Sequence, residues 1–210
     1  MKDHREVVGW GFWLRWLIAS IVGSGIGVLL WLGIGAGMEA AGIGSQSMAS
    51  GVLFPGVIGA AFGTPFGIAQ WIILRRYIRR AGWWVLATAL GYVIVFLLGA
   101  SFFPQGDTIE LEPTQQVLLG TVLGAAISVP GALLQWLLVL WRQFPKAGWW
   151  ILISVASWTL GFAISFALRL ILGGLTFIAG PVVALVLSGL GMVWLLRHRP
   201  SGVQDGATVF

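Results

Sequence analysis

The chain has 210 residues, of which 58% are hydrophobic and only 9% charged, with a net charge of +5 and no cysteine. A soluble domain carries about a quarter charged residues, so lipid is the solvent for most of this sequence, and no soluble catalytic domain fits beside about six spans of roughly 20 residues each. Without cysteine there are no disulfides, thiolate metal sites or iron–sulfur ligands.

The first apolar stretch, Phe12 to Gly35, follows a basic start. It is too long for a signal-peptide core and lacks a persuasive cleavage site, so it is expected to be a retained first span. Five more spans are expected at Val52 to Leu74, Trp83 to Phe103, Gln116 to Trp141, Trp149 to Leu170 and Leu175 to Leu196. The fold class is an all-α polytopic membrane helix bundle of six transmembrane helices, one domain over 1–199, followed by a flexible tail over 200–210. The first outer loop, Met38 to Ser50, is rich in small residues and reads as flexible or re-entrant.

The loops alternate in charge. Lys2, Arg5, Arg15, Arg75, Arg76, Arg79, Arg80, Arg142, Lys146, Arg197 and Arg199 fall on one side, leaving only Arg169 of the basic residues on the other. The positive-inside rule then makes both termini cytoplasmic. The cluster Arg75, Arg76, Arg79 and Arg80, with Arg142 and Lys146 in the later turn, is read as a topology signal that also attracts anionic lipid headgroups, not as a nucleic-acid site. Eleven of the thirteen tryptophans (Trp10, Trp13, Trp16, Trp71, Trp83, Trp84, Trp136, Trp141, Trp149, Trp150 and Trp194) crowd the same boundary and are expected to anchor there as an aromatic belt.

One hairpin is written twice. Gly59, Ala60, Ala61, Pro65, Gln70 and Trp71 match Gly124, Ala125, Ala126, Pro130, Gln135 and Trp136 at an offset of 65 residues, and Ala81-Gly82-Trp83-Trp84 matches Ala147-Gly148-Trp149-Trp150 at 66. One inserted residue accounts for the change. The repeat units are about 52–103 and 116–170, the kind of duplication from which many membrane folds are built. Fainter echoes link Gly191 to Arg197 with the end of span two, and Gly11-Phe12-Trp13 with Ala19 to the start of span three. They predict a third hairpin made of spans six and one, which requires those two spans to be neighbours.

In span two, Gly59, Gly63 and Gly67 share a face with Gln70; in span four, Gly120, Gly124, Ser128 and Ala132 share one with Gln135. Small-residue ladders admit close helix approach, and an amide in lipid seeks a partner across the interface. Spans two and four are therefore expected to form the inner faces of the bundle. Pro65 and Pro130 each remove a backbone hydrogen bond and are expected to bend their helices. With Gln70 and Gln135 they form the candidate binding site in the bundle interior; the competing reading is that the prolines only shape packing.

No Asp, Glu, Lys or His lies well inside a span, which argues against membrane catalysis and against a buried ion path. Arg15 is placed to snorkel to the near boundary, and Arg169 to pair with outer-loop acids. His4 and His198 lie in the terminal segments, so neither a bis-histidine haem nor histidine-ligated chlorophyll is available inside the bundle. The outer loop Gln105 to Pro113 is polar enough to receive a partner, and its acids match no EF-hand spacing. The sequence calls for no cofactor and no metal.

The doubled pattern of Gln70-Trp71, Arg75-Arg76 and Ala81 to Trp84, then Gln135-Trp136, Arg142 and Ala147 to Trp150, resembles a group of polytopic bacterial, mainly cyanobacterial, membrane proteins. The resemblance covers about Gly59 to Leu160; the second copy departs from it in having fewer arginines and Pro145 in its turn. It implies a bacterial cytoplasmic membrane, or a thylakoid in a cyanobacterium, and supplies no activity and no site. The leading expectation is a non-enzymatic structural or accessory component that packs against another membrane complex or itself. The alternative is a passive small-solute channel or facilitator with a site between spans two and four.

Overall fold

The structure is a computed structural model and describes residues 8–42, 48–102, 112–172 and 176–198. Six helices follow one another: α1 (Trp10–Ala40), α2 (Met48–Leu74), α3 (Gly82–Phe102), α4 (Pro113–Gln135), α5 (Trp149–Leu172) and α6 (Thr176–Arg197). There is no strand among the described residues. All six helices are long and apolar enough to cross a bilayer, which makes this a multi-pass membrane protein. Helix α1 runs beyond its expected end and carries Met38 and Glu39 within it, and α2 begins at Met48, so the expected first outer loop shrinks to 41–47. Of that loop, 43–47 lie outside the described residues, as do most of Gln105 to Pro113 and the tail over 200–210.

Each helix packs on the next, and α6 returns to α1, closing a ring. Trp13 Nε1 of α1 donates to the Val186 carbonyl of α6 at 3.1 Å, and Arg197 Nε donates to the Val8 carbonyl at 2.7 Å. Spans six and one thus meet the neighbour condition that a third hairpin imposes. The start of α1, the end of α6 and the α2–α3 and α4–α5 turns gather at one end, called the inner end below. There Gln143 spans the two turns, accepting from the Arg79 backbone N–H at 3.0 Å and donating to the Arg79 carbonyl at 2.8 Å.

Glycine sets the helix spacing, and the two ladders divide: Gln70, Ser128, Ala132 and Gln135 line the bundle interior as expected, while the glycines meet the hairpin partner. A Cβ at Gly59 would lie 2.7 Å from Val93 Cα, one at Gly63 2.9 Å from Ala89 Cα, and one at Gly67 3.0 Å from Val85 Cα. The α2 ladder therefore faces its hairpin partner α3 rather than the bundle axis. Gly120 and Gly124 press likewise on Phe166 and Trp158 of α5. In lipid, helices gain little from burying apolar surface and associate by packing, so the smallest residues go where two backbones come closest. Gly23 and Gly27 do this for α1 against α2, and Gly91 for α3 against Gly131 of α4.

The tryptophans divide. Trp10, Trp83, Trp141 and Trp149 are exposed, as a belt requires, whereas Trp16, Trp84 and Trp150 are only 1%, 0% and 3% exposed. The belt expectation fails for these three. Adjacent helix residues point about 100° apart, so in each Trp-Trp doublet the first ring turns to the lipid and the second to the interior. The inner half is filled around them by Phe12, Leu74, Leu140, Phe144, Met192 and Leu195.

Candidate functional site: a polar knot between two cavities

Gln70 and Gln135 are both buried, and each is bonded through both its nitrogen and its oxygen. Gln70 Nε2 donates to Ser20 Oγ of α1 at 3.2 Å, while its Oε1 accepts from Trp84 Nε1 of α3 at 2.8 Å. Gln135 repeats the arrangement one helix pair further on, donating to Thr88 Oγ1 of α3 at 3.0 Å and accepting from Trp150 Nε1 of α5 at 2.9 Å. The Thr88 hydroxyl donates in turn to the Trp84 carbonyl at 2.8 Å. Buried polar groups in hydrocarbon need such partners, and these bonds tie α1 through α5 together in sequence.

The single inserted residue of the second hairpin has a visible destination. After Gln135 the helix continues as a π-helical turn over Trp136–Leu140, in which the Trp141 N–H reaches the Trp136 carbonyl at 2.9 Å. A π turn takes one residue more than an α turn, so the helix absorbs the insertion before the loop begins. The Gln135 to Trp150 bond is thereby kept at the length of the Gln70 to Trp84 bond.

The pattern then breaks. Ser20, Thr88 and Ser154 each follow a buried tryptophan by four residues, at Trp16, Trp84 and Trp150. The three indoles form a triangle with ring centroids 5.5 to 6.5 Å apart. A third amide from α6 would bridge Ser154 of α5 and Trp16 of α1, yet α6 carries none. The atoms that such an amide would satisfy, Trp16 Nε1 and Ser154 Oγ, are without partners; Thr159 Oγ1 is the third such buried side-chain atom among the described residues.

Trp16 and Ser154 line a cavity of about 60 Å³ together with Gln70, Thr88, Gln135 and Ser188, among others. Above it, toward the outer end, a chamber of about 800 Å³ is lined mostly by apolar side chains, contributed by all six helices. Tyr92, Ile127, Trp158 and Leu185 border both. The exposed members of the chamber wall (Ile21, Gly25, Val28, Trp31 and Ile178) all belong to α1 or α6. These helices touch at Trp13 and Trp16 near the inner end, so the chamber opens sideways between them, toward lipid.

Of the four residues expected to form a binding site, the structure brings Gln70 and Gln135 to the small cavity and leaves out Pro65 and Pro130. Pro65 sits where α2 meets Gly23 of α1, and Pro130 where α4 meets Gly91 of α3, so both stand at helix crossings. The basic residues of the two turns stay at the inner end: Arg75 lies over the Trp71 ring at 5.4 Å, Arg142 over Trp141 at 4.8 Å and Lys146 over Trp194 at 5.5 Å. Arg15 Nε donates to the Gly11 carbonyl at 2.9 Å, toward the same end. Ser20, Thr88 and Ser154 escaped the sequence reading, and Trp16 was read as a belt residue, although the recurring tryptophan followed four residues later by Ser or Thr was there to be seen. Comparison with known proteins finds no matching family model, no similar curated sequence and no similar solved structure.

Proposed function

We propose that this chain is a non-enzymatic accessory protein of a bacterial cytoplasmic membrane, or of a thylakoid, that holds an apolar bilayer molecule in its outer chamber. The observation that carries this reading is the 800 Å³ apolar chamber opening between α1 and α6 above a closed inner half. Ligand sites are concave, mostly apolar and furnished with a few polar groups, a description the chamber and the knot beneath it fit together. Both termini are assigned to the cytoplasm on the charge of the inner end, where the basic turns meet anionic headgroups. Another membrane complex or a second copy of the chain would be its working partner.

Passive transport of a small solute is the second reading, favoured by the polar cavity that Gln70 and Gln135 share. It faces an obstacle. Any solute must part the Trp16, Trp84 and Trp150 triangle and break the hydrogen bonds of Gln70 and Gln135 beside it.

Purification in mild detergent, with identification of every lipid and protein that travels along, tests the first reading against a chamber-filling variant. A Cβ at Gly25 or Gly99 meets nothing within 4 Å, and both glycines line the chamber. Gly25→Leu with Gly99→Leu is expected to strip an apolar molecule from the preparation. An identical set of molecules on both proteins would rule the chamber out, and flux through liposomes of the purified protein would revive the second reading.

A further inference from the structure

We infer that the small cavity receives the carbonyl head of an uncharged amphiphile whose apolar chain lies in the chamber, with Trp16 Nε1 donating to the carbonyl oxygen. This rests on the chamber reading and adds the chemistry of the head. The cavity is the place of a missing glutamine. In the two complete hairpins an amide oxygen accepts the indole N–H of Trp84 or Trp150, and only at Trp16 is that oxygen lacking.

An indole N–H only donates, so the occupant must accept; the Ser154 hydroxyl can serve either role. No charged side chain lines the cavity, so a charged head would be stranded at great cost, and the ligand is uncharged. Some 60 Å³ admits about two waters or one carbonyl-bearing edge. The shared border at Tyr92, Ile127, Trp158 and Leu185 brings such a head next to an apolar space large enough for its chain.

A quinone with a prenyl or alkyl chain and a glyceride ester both offer this chemistry. Native mass spectrometry of the purified full chain, loaded separately with a decyl-substituted benzoquinone and with a diacylglycerol, distinguishes them by which one binds at one molecule per chain. Trp16→Phe removes the donor together with one ring of the indole, and Ser188→Gln keeps Trp16 while supplying an amide from α6 to the same cavity. Each is expected to weaken the bound probe about 3- to 10-fold, the worth of one neutral hydrogen bond, while Gly25→Leu with Gly99→Leu abolishes binding.

Thermal unfolding of each variant verifies that it is folded, and Ser188→Gln keeps the test alive if Trp16→Phe does not fold. Probe binding lost in the glycine variant but unchanged in both cavity variants would mean that the cavity holds water only, which overturns the carbonyl assignment and leaves the chamber standing. Failure of the wild type to bind either probe would overturn the carbonyl assignment. If the glycine variant also purified with the same molecules as the wild type, the chamber reading would fall with it.

Discussion

Trp84 donates its indole N–H to Gln70 at 2.8 Å, and Trp150 makes the same bond to Gln135 at 2.9 Å across one more residue of chain. The equality is a matter of helix geometry, since the π turn over Trp136–Leu140 takes up the extra residue. It makes the bundle a series of amide-linked tryptophans in which the link between α6 and α1 is missing.

The missing link gives an ordering of three matched substitutions. Trp84→Phe and Trp150→Phe each leave a buried glutamine oxygen without its donor, whereas Trp16→Phe removes a donor that has no acceptor. Hydrogen bonds inside membranes are worth about 0.6 kcal/mol on average and up to roughly 1.7. In detergent or SDS-driven unfolding, Trp84→Phe and Trp150→Phe are therefore expected to cost about 1 kcal/mol more than Trp16→Phe. Equal losses at all three positions would show that ring packing, and not the N–H, governs their worth.

Replacing the amides bears on the same network. Gln70→Leu takes its donor from Ser20 Oγ and leaves the Trp84 N–H unpaired, and Gln135→Leu leaves the Trp150 N–H unpaired and takes from Thr88 the bond its hydroxyl accepts, though not the one it donates. Each is predicted to destabilise the bundle by about 1 to 3 kcal/mol, two membrane hydrogen bonds at the values above. Because Thr88 also donates to the Trp84 carbonyl, the two knots share a strut and their effects should not add. The quantity to measure is the coupling free energy from the full double-mutant cycle; a value of zero would show two independent knots.

Much of this was legible in the sequence, and the limits have a physical cause. Six spans could be read because roughly 20 apolar residues are what a bilayer demands, and the importance of Gln70 and Gln135 because an amide in lipid must find a partner. The direction in which each side chain points was harder to read. A soluble helix declares its inner face by its polar outer one, but a helix bathed in lipid is apolar all round, so nothing in the sequence separates Trp84, wholly buried, from Trp83, half exposed. The glycine ladders show the same ambiguity: their spacing announces a close crossing and does not say with which neighbour. Trp16 was hidden because its hairpin lacks the glutamine that marks the other two.

Glycine positions offer a sharper contrast within one helix contact. A Cβ at Gly91 would come 2.6 Å from the Gly131 Cα, while a Cβ at Gly131 meets nothing within 4 Å. Gly91→Ala is expected to push α3 from α4 and cost about 1 to 3 kcal/mol, the range for overpacking. Gly131→Ala is expected to be neutral or slightly stabilising, because alanine is the better helix former by up to about 1 kcal/mol. Thermal unfolding of the two variants decides it, and equal effects at the two positions would show that the close approach at Gly91 does not govern this crossing.

The inner end can be tested through Gln143, whose side chain holds both the N–H and the carbonyl of Arg79. It is the clasp between the α2–α3 and α4–α5 turns, and the turn it holds contains four arginines. Gln143→Ala frees that turn at a cost of about 0.5 to 1.5 kcal/mol for each partly exposed bond lost. Local opening is what a protease reads when opening and closing outpace cleavage. Trypsin is therefore expected to cut the variant between Arg75 and Arg80 several times faster than the wild type, with the six-helix core left intact. Identical cleavage rates would place the strength of this turn elsewhere, in the packing of Ile78 and Ala81 against the inner core.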